Sequence, residues 1–118
     1  MTNPPILTER IGHTMTITLN RPEAMNAITS EMLSDLNLAL KAADDDRDVR
    51  AVILTGSGRA FCSGLDLKQA AQGGGIAGAL SGARGANHYS TREICTVNLQ
   101  RMDTPVIGVI NGAAAGYG

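Results

Sequence analysis

Two glycine-bearing loops carry the residue pattern with the clearest chemical meaning in this chain. Residues 59–67 have the sequence RAFCSGLDL, and residues 111–118 have the sequence NGAAAGYG. Each loop follows a short apolar run and precedes a predicted helix, whose first backbone N–H groups lack partners within the helix. A glycine permits the sharp turn that such a loop needs. Two such loops facing one point would form an oxyanion hole, a pair of donors for one negatively charged oxygen.

The polar side chains of the first loop are better explained by structure than by catalysis. Asp66 directly precedes the next predicted helix, where a carboxylate can cap free N–H groups. Cys62 and Ser63 have no histidine or other base nearby in the sequence, so we do not expect either to be a nucleophile. We therefore expect the chemistry of this loop to come from its backbone.

Four stretches of the chain have the pattern of β-strands. Residues 6–11 and 14–19 predict a hairpin that turns near Gly12, since the second stretch alternates apolar residues with threonine. Residues 49–55 and 106–110 are short β-branched runs, typical of buried strands. Each of these two runs leads into one of the glycine-bearing loops, so the buried strands would position the loops.

Helices are predicted between the strands. Thr29 is a suitable N-cap for a helix over residues 30–43, where apolar side chains recur at helical spacing. A short helix is expected from Asp66 or Leu67 to Ala71, and a longer one over residues 87–102. A further helix would begin in the second glycine-bearing loop. The predicted class is α/β.

Residues 72–86 have the composition of a flexible loop. They contain six of the 14 glycines in the chain, among other small residues. Such a loop could close over a site as a lid, because it follows the first glycine-bearing loop directly, or it could be an ordinary surface loop. The sequence leaves both interpretations open.

Composition excludes several classes of function. The chain has 118 residues, 43% of them hydrophobic, and a net charge of −1, which is typical of one globular domain. Without a Lys/Arg cluster, and with 3% aromatic residues, it is not expected to bind nucleic acid. No apolar run approaches the roughly 18 residues of a membrane span. The N-terminus lacks the features of a signal peptide, so we expect a cytoplasmic protein.

Metal binding is not expected either. The two cysteines, Cys62 and Cys95, and the two histidines do not have the spacing of metal ligands, and we interpret both cysteines as free thiols. The acidic run at residues 44–48 lacks the glycine and distal glutamate of a calcium loop. It favours a solvated turn.

At the two loops the chain resembles the crotonase superfamily, the enoyl-CoA hydratases and isomerases. The matching segments are residues 20–27 (NRPEAMNA), 51–56 (AVILTG), 59–67 and 105–118. Each motif alone would be weak, but four in the same order are specific. The resemblance implies a crotonase-like spiral of repeated ββα units. Residues 1–118 would be its N-terminal part, and the spiral would be incomplete at the C-terminus.

The resemblance also implies a substrate and a mechanism. The substrate would be an acyl-CoA whose thioester carbonyl accepts hydrogen bonds from the backbone N–H groups of Leu65 and Tyr117, with Gly116 as an alternative to Tyr117. The family usually has a small residue at the position of Tyr117, so its phenol must point away or line the pocket. The implied reaction is hydration of a 2-enoyl-CoA in fatty-acid metabolism, with no cofactor except the coenzyme A of the substrate.

Further binding and catalytic residues follow from the same resemblance. Glu93, on the helix before the last strand, matches the place of a catalytic side chain in family members such as the chlorobenzoyl-CoA dehalogenases, although a solvated carboxylate is the commoner case. Arg21 and Lys68 are candidates near the phosphates of coenzyme A, although surface charges need no function. The residues expected to line the coenzyme A channel are Glu23, Ala24, Ala27, Ala60, Cys62, Ser63, Gly64, Asp66 and Lys68.

The acid/base residues of a hydratase are not expected within this chain. In hydratases of the family, two glutamates that activate water and deliver a proton follow the second glycine-bearing loop. We therefore expect the chain to be a truncated copy of a longer protein, a cleaved piece of it, or an incompletely recorded sequence. Another crotonase reaction (isomerisation, dehalogenation, thioester hydrolysis) and a non-catalytic acyl-CoA-binding fragment remain alternatives. The family also implies a homotrimer or hexamer.

Overall fold

The computed structural model describes residues 3–68 and 95–118. The glycine-rich loop predicted over residues 72–86 and the candidate Glu93 lie outside the described residues. The strands within the described ranges are β1 (Ile6–Ile11), β2 (Thr14–Leu19), β3 (Ala51–Gly56), β4 (Ala60–Cys62), β5 (Val106–Val109) and β6 (Ala113–Ala114). The helices are a 3₁₀ turn (Pro22–Ala24), α1 (Ser30–Asp45) and α2 (Cys95–Arg101).

Helix α1 begins where the sequence predicts. The Thr29 hydroxyl accepts a hydrogen bond from the Met32 backbone N–H at 3.2 Å, which confirms the predicted N-cap. The helix continues to Asp45, beyond the predicted end at residue 43. Its apolar face is buried and forms one wall of the core. The buried residues on this face are Met32, Leu36, Leu40 and Ala43.

The strands form two sheets. A four-stranded sheet has the order β1-β2-β3-β5, in which β1 and β2 form the predicted antiparallel hairpin and the other neighbours are parallel. A smaller sheet pairs β4 with β6 in parallel. Strand β3 is followed by β4 of the smaller sheet, and β5 is followed by β6. The two consecutive strands of the predicted ββα unit therefore occur twice. This architecture agrees with the predicted crotonase-like spiral.

Part of the core prediction for the strands is wrong. Ile17 and Val52 are fully buried between the sheet and α1, and each contributes about 1.5–3 kcal/mol by burial. The run at residues 106–110 was expected to be fully buried, yet Ile107, Val109 and Ile110 are 47–57% exposed. The reason is topological: β5 is the edge strand of the four-stranded sheet.

The acidic run at residues 44–48, which begins inside α1, does more than form a solvated turn. The Asp44 carboxylate accepts hydrogen bonds from two backbone N–H groups ahead of β5, the nearer being that of Thr104 at 3.0 Å. Arg10 pairs with Asp46 at 3.3 Å on the exposed surface. The run therefore ties α1 to the start of β5. No helix within residues 3–68 and 95–118 combines the length and apolar character that a membrane span requires.

Candidate active site

Two parallel strands bring the two glycine-bearing loops to the same edge of the smaller sheet. Strands β4 and β6 pair Ala60 with Ala113 and Cys62 with Ala114, and an irregularity between the pairs accommodates one extra residue in β4. Counting forward from the second pair aligns Gly64 with Gly116 and therefore Leu65 with Tyr117. Because parallel strands have their carboxyl ends at one edge, the two candidate donors leave the sheet side by side.

The two loops touch at Gly64. This residue has φ +105°, and a Cβ built on it would lie 3.1 Å from the Ala115 carbonyl oxygen and 3.7 Å from the Tyr117 backbone nitrogen. Gly116 has φ +55°. Each candidate donor thus directly follows a glycine with a positive φ, a conformation that a residue with a side chain adopts only with strain. The glycines permit both the turn and the close approach of the loops.

The backbone around Leu65 turns its N–H group toward the second loop. On the opposite side, Ile28 donates to the Gly64 carbonyl at 2.7 Å, and Asp66 donates to the Ile28 carbonyl at 2.9 Å. These two hydrogen bonds form a parallel β-bridge between Ile28 and Leu65. In such a bridge the N–H and C=O groups of Leu65 itself face away from Ile28. Among the described residues, the Leu65 N–H has no backbone acceptor. It is available to a ligand.

Tyr117 lies within a tight turn that leaves its N–H group unused. The Gly118 N–H donates to the Ala115 carbonyl at 2.8 Å and closes a four-residue turn, while the Ala115 N–H donates to Cys62 at 3.0 Å. In the described part of the chain, neither Gly116 nor Tyr117 donates to a backbone acceptor. The proximity of Tyr117 to Gly64 favours Tyr117 as the second donor. Its side chain is half-buried and packs against the core.

A second set of contacts holds the first loop on the side away from β6. The Ser63 N–H donates to the Met25 carbonyl at 3.0 Å, and the Cys62 thiol donates to the Asn26 carbonyl at 3.2 Å. Together with the bridge at Ile28, these bonds run along residues 25–28. The first loop is therefore fixed between this segment and the second loop.

Asn26 is a structural residue of the site that sequence reasoning missed. It is fully buried, and it is the buried polar side chain of the described core. Its Oδ1 accepts from the Arg21 N–H at 2.8 Å, and its Nδ2 donates to the Ser57 and Ala60 carbonyls, both at 2.9 Å. Its position in the family-matching segment 20–27 was the one sequence signal of a role at the site. The hydrogen bonds themselves could not be predicted, because Ser57 and Ala60 are more than 30 residues away along the chain.

Asp66 of the first loop pairs with a charged residue of the family-matching segment 20–27. The Arg21 guanidinium pairs with the Asp66 carboxylate at 3.2 Å and also donates to the Ala27 carbonyl. This pairing weakens the interpretation of Arg21 as a phosphate ligand. Asp66 accepts from the Lys68 N–H at 3.0 Å, and helical backbone begins at Leu67, which confirms the capping role predicted for Asp66. The Lys68 side chain is exposed.

The remaining channel residues lie close to the first loop. Glu23 and Ala24 belong to the 3₁₀ turn, and the Ser63 hydroxyl donates to the Ala24 carbonyl at 3.5 Å. Ala27 is half-buried, while Ala60 is buried. The 3₁₀ turn and the residue that follows it, Met25, thus contact the first loop at Ser63. The part of the predicted channel residues in coenzyme A binding stays a prediction, as does that of Glu93.

Cys62 has the properties of a core residue. Its side chain is 1% exposed, and burial raises the pKa of the thiol, with a smaller opposing effect from a hydrogen bond of the Gly64 backbone. A thiol with a raised pKa stays protonated at neutral pH and is a poor nucleophile. In the described ranges, no group of three or more His, Cys, Asp or Glu residues could hold a metal ion.

Sequence and structure comparisons agree on the family. The sequence matches the family described as enoyl-CoA hydratase/isomerase over residues 10–118. It is 36% identical to enoyl-CoA hydratase EchA19 of Mycobacterium tuberculosis over 98% of this chain and 42% of that protein. The structure is similar to that of EchA1_1 from Mycobacterium paratuberculosis, with a TM-score of 0.80 and 38% identity over 99% of this chain and 42% of that one.

A second solved structure carries a different activity in its name. A carnitinyl-CoA dehydratase from Mycobacterium avium has a TM-score of 0.74 and 36% identity, over 93% of this chain and 40% of that one. The chain thus spans about two fifths of the length of the relatives that it matches. The family match covers nearly the whole chain, and its described fold is a partial crotonase fold. The chain belongs to the enoyl-CoA hydratase/isomerase family.

Proposed function

We propose that the full-length protein is an enzyme that acts on acyl-CoA thioesters, and that the N–H groups of Leu65 and Tyr117 form its oxyanion hole. The observation that carries this proposal is the parallel pairing of β4 with β6, since each candidate donor follows the last paired residue, Cys62 or Ala114, by three positions. The contact between Gly64 and the Tyr117 nitrogen supports it, because that contact places the two loops against each other. Family membership supplies the substrate class.

The proposed site suits chemistry at the carbon next to a thioester carbonyl. Such a reaction passes through an enolate, so negative charge grows on the carbonyl oxygen as the transition state forms. Backbone donors fixed in advance bind this charge more strongly than they bind the neutral carbonyl, which lowers the barrier. Loss of one donor typically costs about 3 kcal/mol, or roughly 100-fold in rate.

The reaction that we favour is hydration of a 2-enoyl-CoA. A base removes one proton from water as the water oxygen adds to the β-carbon, and the electrons of the double bond move onto the thioester oxygen. An acid then delivers a proton to the α-carbon, and the thioester carbonyl re-forms. Coenzyme A enters only as part of the substrate. The acid and base that this reaction needs would lie beyond Gly118, and the two described loops contribute the charge-stabilising half of the site.

The substrate's coenzyme A moiety would lie along the first loop. Ser63, between Cys62 and Gly64, is the exposed residue of this part of the loop, and the 3₁₀ turn with Glu23 and Ala24 lies beside it. Ala60, Cys62 and Gly64 would support the channel from within the loop. The exposed Lys68 is a candidate for a phosphate contact, and Ala27 and Asp66 adjoin the same surface. We also propose a homotrimer or hexamer, on the family resemblance alone.

A direct assay tests the proposal. The full-length protein is incubated with a four-carbon 2-enoyl-CoA, and we expect mass spectrometry to detect the 3-hydroxyacyl-CoA product. A 3-enoyl-CoA tests isomerisation in parallel, and Glu93→Gln tests chemistry from the helix predicted over residues 87–102, as in a dehalogenase. Absence of both turnover and acyl-CoA binding would contradict the proposal. If the 118-residue chain alone hydrates the substrate, the alternative of a non-catalytic fragment is wrong.

A further inference from the structure

One backbone carbonyl receives side-chain amides from both sides of the first loop. The Ala60 oxygen accepts from Asn26 Nδ2 at 2.9 Å and from Asn111 Nδ2 at 3.1 Å. Asn26 lies in the segment before α1, whereas Asn111 lies in the connection between β5 and β6. Ala60 is the first residue of β4, the strand that leads to Leu65. Two distant parts of the chain therefore meet at the base of this strand.

Asn26 is held firmly at this point. It is fully buried, and its Oδ1 and both Nδ2 hydrogens have protein partners. Met25 and Asn26 have φ values of 55° and 56°, a left-handed conformation that residues with side chains rarely adopt in succession. Such a conformation persists only where the surroundings enforce it. The Asn26 amide supplies much of that enforcement, and its own carbonyl accepts from Cys62 in the first loop.

Asn111 connects the two ββ units. Its Oδ1 accepts from the Gly56 N–H at 3.1 Å, and its Nδ2 also donates to the Gly58 carbonyl at 3.0 Å. The next residue, Gly112, is packed so closely that a Cβ would lie 2.0 Å from the Arg59 oxygen. The connection before β6 is thus locked onto the connection before β4. The placement of β6 relative to β4 determines where Tyr117 lies relative to Leu65.

We propose that Asn26 and Asn111 are positioning residues of the oxyanion hole, which set the spacing of its two N–H donors by binding one carbonyl, that of Ala60. The inference rests on the proposed function, because the spacing matters for catalysis only if a thioester oxygen binds between the donors. The side-chain amides donate to protein carbonyls, so they act through the backbone. Their effect would fall on the reacting carbonyl and leave coenzyme A binding largely unchanged.

Isosteric substitutions in the full-length protein test this role. Asn26→Asp and Asn111→Asp keep the side-chain shape, remove both N–H donors, and set a carboxylate oxygen against the Ala60 carbonyl. We expect kcat to fall by about 10- to 100-fold, since small displacements of catalytic groups have effects of this order, with KM changed less than about threefold. Because both amides act on one carbonyl, the double variant should lose less than the product of the single losses.

Asn98→Asp is the matched control. Asn98 Nδ2 donates to Asn37 Oδ1 at 3.3 Å between α2 and α1, outside both loops. The substitution makes the same chemical change in a half-buried asparagine, and we expect kcat and KM to match the unchanged protein. A loss at Asn98 as large as that at Asn111 would show that any damaged asparagine contact lowers the rate, and it would overturn the inference.

A spectroscopic measurement separates positioning from general damage. Isotope-edited infrared spectra of a bound, unreactive acyl-CoA report how strongly the donors polarise the thioester carbonyl. We expect the unchanged protein and Asn98→Asp to lower the stretching frequency relative to water. Asn26→Asp and Asn111→Asp should still bind the ligand, but the carbonyl frequency should move at least halfway back to its value in water.

The outcomes distinguish the inference from the proposed function. If the unchanged protein binds no acyl-CoA, the proposed function and the inference both fail. If it binds with a lowered frequency, and both variants retain that frequency and kcat, the inference alone is wrong. A raised KM with unchanged kcat in Asn26→Asp and Asn111→Asp would also overturn the inference. Should Asn26→Asp fail to fold, Asn111→Asp decides the question, because its side chain is exposed and its loss is tolerated more easily.

Discussion

The Tyr117 backbone nitrogen lies 3.7 Å from the point where a side chain on Gly64 would begin. This contact joins the two glycine-bearing loops, since Gly64 precedes one candidate donor and Tyr117 carries the other. No side chain can be added at Gly64 without crowding the Ala115 carbonyl, which is only 3.1 Å from the same point. The absence of a side chain at Gly64 is therefore a condition for the two donors to approach each other.

Gly64→Ala should separate the donors and reduce catalysis. The new methyl group would press on the second loop, and φ +105° is unfavourable for alanine. We expect kcat/KM of the full-length protein to fall by about 100-fold, the effect of losing one oxyanion donor. Gly12→Ala is the control, since Gly12 also has a positive φ, +59°, but nothing lies within 4 Å of its Cβ position. Equal losses of activity in both variants would contradict the explanation.

At Tyr117 the backbone should matter more than the side chain. We expect Tyr117→Phe to change kcat by less than about threefold, whereas replacing the Tyr117 amide by an ester, which removes the N–H, should cost roughly 100-fold. Steady-state kinetics of semisynthetic full-length protein would measure both. A large loss in Tyr117→Phe would instead assign a catalytic part to the phenol.

Arg21→Lys should destabilise the protein, although it conserves charge. The Arg21 guanidinium donates hydrogen bonds to both the Asp66 carboxylate and the Ala27 carbonyl. The ammonium group of a lysine lacks the planar, fixed donor geometry of a guanidinium and cannot reproduce these contacts. We expect the free energy of unfolding to fall by about 1.5–3 kcal/mol in urea titrations, the range for a hydrogen bond to a charged group. The exposed Arg10, paired with Asp46, provides the control, and Arg10→Lys should have an effect of about 0–0.5 kcal/mol. Similar values for the two variants would argue against a special role for Arg21.

Cys62 should make stability fall at alkaline pH. Burial raises the pKa of its thiol above the ordinary value of 9.0, so the unfolded chain loses this proton at a lower pH than the folded chain does. The contribution to stability is complete below pH 9.0 and is lost as the pH rises toward the folded pKa. The slope is at most about 1.4 kcal/mol per pH unit. Urea unfolding between neutral and alkaline pH, compared with Cys62→Ala, would measure it, and identical slopes for the two proteins would refute the prediction.

Local sequence patterns determined much of the framework. The Thr29 cap and the spacing of apolar residues predict α1, and the alternation with threonine predicts the hairpin. Asp66 is predicted to cap the helix that begins at Leu67. These features depend on neighbours within a few residues, so they can be recognised from the chain alone. The two glycine-bearing loops belong with them, because a glycine after a β-rich run predicts a sharp turn whatever surrounds it.

Only the tertiary structure decided how the two loops meet. Strands β4 and β6 have three and two residues, too few for any periodic pattern. They exist because they pair with each other, although Ala60 and its partner Ala113 are far apart in the sequence. Asn26 and Asn111 look like ordinary turn residues until folding brings both amides to the Ala60 carbonyl. The sequence by itself determined which backbone groups turn outward. Pairing between distant segments decided that two of them lie side by side, because a hydrogen bond between such segments depends on the position of each strand and leaves no local pattern.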